Sequence, residues 1–275
     1  MDVICACTAG RVLQLLHHGN TVKGVTSLDN LLYVLRGFTS SEQIEVYDKD
    51  TCRLQRKLTV HGLGFVSDIT TCSHNRCAYI SDEGNRCVSR VALPGGAVSC
   101  WPVTEQPAGL SVTASHSVLV TCIEVRKIKE FSTDGLLLRQ FQLPEDVNAP
   151  HHTVQLSSQQ FIVCHGEVFD DVHRVCLVGS DGQVVKSYGG SRGSGTQEMN
   201  VPFHLAVGRD KFVYVSDVFN SRVLLLSPAL TYVREVLSTP QLRGYPGSLY
   251  LDEDRSRLYV AVSGFEGGRV VVVGV

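Results

Sequence analysis

Short apolar runs, four to six residues long, recur along the whole chain, and no apolar period of 3.6 competes with them. A tyrosine-centred run appears four times: Leu32-Tyr33-Val34, Ala78-Tyr79-Ile80, Val213-Tyr214-Val215 and Leu258-Tyr259-Val260. Val118-Leu119-Val120 and Phe161-Ile162-Val163 fill the two places where that series would lapse. Ahead of each run lies another apolar strand, opened by a small or polar residue: Gly24, Asp68, Gly109, His152, His204 and Ser248. The steps between these openings are 44, 41, 43, 52 and 44 residues. Self-similarity at this period, with β-branched strands and turns rich in Gly, Asn and Asp, predicts an all-β, six-bladed β-propeller of four-stranded antiparallel blades.

The fifth unit shows the predicted strands a to d most clearly, over 204–208, 212–216, 222–227 and 232–237. The sixth supplies a, b and c, the last over 269–273, and then the chain ends without a d strand. Residues 3–7 and 11–16 read as a hairpin, either arm of which can serve as the missing outer strand. Closing the ring this way hides two strand edges that would otherwise template aggregation. Residues 1–275 are therefore expected to form one domain, closed by pairing of N- and C-terminal strands, with residues 1–19 completing the last blade. The 52-residue step is absorbed by the insertion Gly189 to Gly195, a connection between blades. It is not a phosphate loop, because no Gly-Lys-Ser/Thr and no helix follow.

One stretch carries a recognisable pattern. Tyr188-Gly189-Gly190-Ser191-Arg192-Gly193-Ser194-Gly195, then Val201-Pro202-Phe203-His204-Leu205-Ala206-Val207, then Tyr214-Val215-Ser216-Asp217 with Asn220-Ser221-Arg222-Val223, resembles an NHL repeat. Weaker copies stand at Tyr79-Ile80-Ser81-Asp82 with Asn85-Arg86 and at Tyr245-Pro246-Gly247-Ser248. The chain looks like the C-terminal propeller of tripartite-motif ubiquitin ligases, or a stand-alone relative. The RING and B-box modules of those ligases are not in this sequence, so the resemblance implies no ligase activity.

Composition narrows the partners. Twenty-five basic residues face 27 acidic ones, a net charge of −2, which gives no general attraction for nucleic acid or anionic lipid. No apolar run is long enough for a membrane-spanning helix, and the opening Met1-Asp2-Val3-Ile4-Cys5 has no basic, then apolar, signal-peptide pattern. A cytoplasmic protein is the expectation. Ten cysteines are scattered singly, without zinc-ligand spacing, and read as small buried hydrophobes in the reduced state. A cross-strand Cys77–Cys87 pair is the alternative if the protein is exported.

In a propeller the strand a openings ring the central channel on the face that carries the b–c loops. His152 and His204, with Asp68 further round, form a partial metal-ligand set there. The amidating lyases, similar in fold, hold zinc with histidines from separate blades; here a third histidine is missing and Asp68 would replace it. The alternative for the histidines is to cap the channel by bonding neighbouring backbone. A lactonase-type calcium site would need more converging carboxylates than Asp68 alone. Asp82 and Asp217, at the ends of strand b, are expected to anchor their b–c turns.

RNA is disfavoured. Arg36, Arg86, Arg126, Lys127, Arg174, Arg222 and Arg269 in the b–c loops are outnumbered by Glu42, Asp82, Glu83, Glu124, Glu167, Asp170, Asp171, Asp217 and Glu266. Phe38, Phe169, Phe219 and Phe265 also fall in b–c loops, where exposed aromatics anchor protein contacts. The leading expectation is a monomeric, non-catalytic scaffold without a cofactor, binding a protein or peptide through these phenylalanines with Arg126 and Arg222. The alternatives are a channel-metal enzyme of lyase or lactonase type, using His152, His204 and Asp68, and an RNA-binding propeller.

Overall fold

The computed structural model describes residues 11–37, 43–264 and 267–275. Phe38, Phe265 and the predicted strand over 3–7 lie outside the described residues. Six four-stranded antiparallel sheets are arranged in a ring. Their innermost strands are Val22–Leu28, Val66–Cys72, Pro107–Val112, Pro150–Ser157, Pro202–Val207 and Tyr245–Asp252. Each of the six expected openings falls within one of them. Each packs against the next, and the sixth against the first.

Closure falls to the second of the two predicted N-terminal segments. Strand Val12–Gly19 pairs antiparallel with Gly267–Gly274, setting Val12 opposite Val273 and Leu16 opposite Val270. Leu16, Val270 and Tyr259 of the last blade share a core cluster with Val22, Val25, Leu32 and Val34 of the first. Hydrophobic burial, as well as hydrogen bonding, therefore seals this seam.

The apolar runs have a simple physical origin. Strand b of each blade is covered on both faces by neighbouring blades, so it needs continuous apolar residues. Cys77–Asp82 is buried at every position, and Tyr33, Tyr79, Tyr259 and Phe161 are among the largest fully buried side chains. Outer strands face water and carry polar residues instead, as in Leu54–Thr59.

Two details correct the sequence reading. A single helical turn, Thr239–Leu242, precedes the sixth blade. It is too short to leave an apolar period; Pro240 in its first turn and a Gln241 side chain accepting from the Ser238 N–H at 3.0 Å start it. The eight described cysteines are free thiols, six of them buried. Sheet register puts Cys77 opposite Ala92 and Cys87 opposite Asp82, at opposite ends of the paired strands, so these two cannot be bridged.

Glycine at an opening reflects the tightness of the ring. A Cβ on Gly109 would stand 2.4 Å from the His151 carbonyl oxygen and 2.8 Å from His152 Cα. Gly109→Ala is expected to cost about 1–3 kcal/mol through overpacking. Gly190→Ala, where an added Cβ meets nothing within 4 Å, should leave stability near wild type. Urea midpoints of the two variants, with equal denaturant slopes, check the contrast.

Candidate functional site

Along the inner strands, at the openings and below them, polar side chains tie each blade to its neighbour. Thr71 Oγ1 donates to the Ser27 carbonyl at 2.6 Å, joining blades 1 and 2. Asp68 Oδ2 accepts from Leu110 N–H at 2.8 Å, joining 2 and 3, while its Oδ1 accepts from Ile69 N–H. His152 Nε2 donates to the Leu110 carbonyl at 3.0 Å and Ser111 Oγ to the Thr153 carbonyl at 2.7 Å, joining 3 and 4. The His152 and His204 rings stack at 3.7 Å across the seam between 4 and 5. His204 Nδ1 accepts from Leu249 N–H at 3.2 Å, and Ser248 Oγ from Val25 N–H at 3.2 Å, completing the circuit.

The structure thus brings Asp68, His152 and His204 together, with one ligand-type atom of each within 4.8 Å of the others. The bonds also settle where the ring protons sit. An Nδ1 that accepts an N–H leaves the His204 proton on Nε2, 3.4 Å from Asp68 Oδ2. A carbonyl partner requires the His152 proton on Nε2 as well. Metal-binding imidazoles keep the ligating nitrogen bare while the other donates to an acceptor. His204 has the reverse arrangement, whereas His152, with a buried Nδ1 that no group bonds among the described residues, matches it. Burial, reinforced by His204, drives His152 down to about 3, so it gains no proton near neutrality. Burial alone would raise the Asp68 carboxyl; the His204 and His152 imidazoles and the Leu110 N–H outweigh it and hold it below the usual carboxylate range.

Above this level, on the b–c face, lies a cup of about 200 Å³. Ser67, Asp68, Glu83, Gln106, Glu167, His151 and His204 supply its polar groups, and Phe203 and Ile123 line part of its wall. Below, a polar channel of about 570 Å³ runs between the inner strands. His204 borders both.

The b–c loop of blade 4 is pinned by three buried histidines. His151 Nε2 donates to the Gly166 carbonyl at 3.3 Å. His165 Nδ1 donates to Asn148 O at 3.2 Å, while its Nε2 accepts from Arg174. His173 Nε2 donates to Asp170 O at 2.9 Å, and its Nδ1 accepts from Val201 N–H at 2.9 Å. Asp170 adds bonds from Asn148 and from Glu167 N–H. At the tip of this tethered loop Phe169 is 95% exposed.

The remaining predicted site residues divide sharply. Phe219 is 46% exposed and packs on the ring of Tyr245 at 5.6 Å. Arg222 is committed internally, bonding Asp217 and the carbonyls of Ser194, Gly195 and Glu198, so it clasps the glycine-rich insertion. Arg126 is half-buried beside a groove between blades 3 and 4, away from the cup. Asp82 receives the Gly64 and Asn85 N–H groups, and Asp217 those of Asn200 and the Asn220 side chain, holding the b–c turns. Sequence reasoning did not single out His151, His165, His173, Phe65 or Tyr245. The doublet His151-His152 at an opening was the available signal for the first. Phe65 and Tyr245 sit just ahead of or at the start of an inner strand, where the same phase argument places them on this face.

No family model matches the chain, and no curated protein matches it. Among solved structures it is similar to a streptogramin B lyase, at 13% identity over 95% of this chain and 86% of that one, with a TM-score of 0.66. A virginiamycin B lyase from Staphylococcus aureus matches at 12% identity over 96% and 98%, TM-score 0.66. The WD40 propeller domain of Doa1 matches at 12% over 98% and 97%, TM-score 0.65. Likeness at this identity shows the ring and not the reaction. It nevertheless corrects one expectation: rings of this shape include lyases, so the lack of a recognisable catalytic motif is no ground for calling this chain a non-enzyme.

The buried histidines predict acid lability. His151 is lowered by burial, His165 is driven by burial and Arg174 to about 4, and His152 to about 3. Below about pH 6.5 the unfolded chain takes up these protons while the folded one does not, so stability is full above that pH and is lost as pH falls toward 4. Each such histidine contributes a slope of up to about 1.4 kcal/mol per pH unit. Urea midpoints at pH 7, 6 and 5 should fall progressively, and His165→Gln should flatten the fall. A flat wild-type profile contradicts the assignment.

Proposed function

We propose that this chain is an NHL-like propeller whose b–c loop face binds a protein or peptide segment. The observation that carries this reading is Phe169, almost wholly exposed at the tip of a loop tethered by three buried histidines. A large apolar side chain carried on a hydrogen-bonded loop backbone costs less further backbone ordering when it docks, which helps an anchor gain affinity. Phe219 with Tyr245, and Phe65, 46% exposed beneath Lys23, add exposed aromatic surface to this face.

The charges support a protein over RNA. Arg36 pairs with Glu45, Arg174 with Asp146 and Arg222 with Asp217, while Arg269 bonds the Leu242 and Arg243 carbonyls. Four of the seven b–c cations are therefore engaged internally, and the cup beside them is acidic. Free, mostly buried thiols favour a reducing, cytoplasmic setting. Among the described residues no helix is long and apolar enough to cross a membrane.

A selection of short random peptides on the immobilised domain tests the reading. Enriched peptides should carry apolar residues, and the Phe169→Ala/Phe219→Ala double variant should bind them at least about tenfold more weakly, about 1.4 kcal/mol. Its melting temperature should be unchanged, since both rings are exposed. Equal affinity for wild type and variant contradicts the reading.

A second reading, a metal-dependent enzyme with an ion held by Asp68, His152 and His204, is favoured by the approach of their donor atoms to within 4.8 Å. It requires His204 to surrender its Nε2 proton and its bond from Leu249 N–H, while His152 has only its unpartnered Nδ1 to offer without breaking the Leu110 tie. A rise of several degrees in melting temperature with equimolar zinc would support this alternative; unchanged melting is the result the latch geometry predicts.

A further inference from the structure

The central cup has a chemistry of its own. Its lining includes three carboxylates, Asp68, Glu83 and Glu167, and neither lysine nor arginine. Asp68 is partly committed to backbone, whereas Glu167 is half-exposed and Glu83 receives one bond, from the Gln106 amide. Lys23, the nearest cation acting on Glu83, stands over the Phe65 ring at 4.2 Å. Burial raises the Glu83 carboxyl, with Glu124 and Asp82 adding to it, against the opposing pull of Gln106 and Lys23.

An independent observation points to a ligand. His151 is 6% exposed, and its ring lines the cup. Among the described residues its one hydrogen bond is from Nε2 to the Gly166 carbonyl, with Glu167 3.9 Å away. That leaves Nδ1 a bare acceptor on a ring packed 5.0 Å from Phe203. Carboxylate acceptors without a cationic side chain among the lining residues, beside an aromatic ring, are complementary to an organic cation, whose N–H groups meet the acceptors while its methylenes cover Phe203 and Ile123. An anion meets three carboxylates, and a hard divalent ion meets apolar wall where it needs oxygen. The volume, about 200 Å³, is below that of pockets for whole drug-sized ligands and suits one side chain.

We infer that the cup receives a single cationic side chain, lysine or arginine, of the segment bound on the b–c face. This rests on the peptide-binding reading above and adds the residue that sits at its centre. The aromatic rim holds flanking apolar residues, and Glu83, Glu167 and His151 Nδ1 take the cation.

The test uses small probes first. N-acetyl-arginine amide, N-acetyl-lysine amide and the neutral N-acetyl-citrulline amide are titrated into the domain while the Ile123 methyl resonance is followed. Saturable shifts with one or both cationic probes, absent with citrulline, are expected, and the stronger probe distinguishes arginine from lysine. Glu83→Gln and Glu167→Gln should each weaken binding about fivefold to tenfold; Glu167, being half-exposed, should tolerate the change without loss of melting temperature. Equal shifts with citrulline, no shift at Ile123, or unaltered affinity in Glu167→Gln would overturn the inference. Selected peptides separate the two claims. Peptides that depend on Phe169 and Phe219 but carry no basic residue and ignore both Glu→Gln changes sink the cup alone. Cationic probes that bind while no peptide does sink the peptide reading alone.

Discussion

A closed ring of sheets has one weak place per blade, the seam where two innermost strands approach without a shared hydrogen-bond ladder. Here each seam carries a polar tie or a ring contact, most of them near the openings and the Thr71–Ser27 tie three residues further along its strands. Thr71, Asp68, His152 with Ser111, the His152–His204 stack, His204 and Ser248 serve in turn. Most of these ties reach backbone groups of the next blade, so they fix the relative height of the strands as well as their distance. Gly24 and Gly109 belong to the same device: with no Cβ, they let the neighbouring strand come close. An added Cβ on Gly24 would stand 2.9 Å from Ile69 N.

This constraint decides where binding chemistry can reside. The residue types most suggestive of a metal centre are bound into the scaffold: Asp68 accepts from Ile69 and Leu110, His152 Nε2 donates to Leu110 and His204 Nδ1 accepts from Leu249, with His152 Nδ1 left without a partner among the described residues. What remains free lies above them, where loops leave the sheets. The blade 4 loop extends the same logic, since three more buried histidines hold it from beneath. Rigidity at the seams and in the loop together explain how a wholly exposed phenylalanine can be presented in a fixed place beside an acidic cup. Outer strands, facing water, have no comparable role.

The ring was legible in the sequence because double-sided burial of strand b writes continuous apolar runs, and the repeat period phases them. Convergence of Asp68, His152 and His204 was legible too, because equivalent positions in a ring must meet at its axis. Their chemistry was not, since a tautomer depends on what the other nitrogen touches, and Leu110 and Leu249 supply that contact from different blades. Arg222 misled for a similar reason: a loop arginine reads as exposed until the glycine-rich insertion folds over it. Phe169 could be placed in a b–c loop but not known to be exposed, and the cup assembles residues from four blades, so no local pattern announced it. Tyr245 and Phe65 went unnoticed because they precede or begin inner strands instead of lying in b–c loops.

The ring nitrogens of His152 and His204 offer the most direct test of the latch on which everything else depends. Long-range proton–nitrogen correlation spectra of the ¹⁵N-labelled protein at pH 7 report the tautomer of each imidazole. The account predicts that both carry their proton on Nε2. A proton on Nδ1 of either ring, leaving Nε2 bare and turned toward Asp68, would contradict it and return the channel to the list of places where chemistry is done.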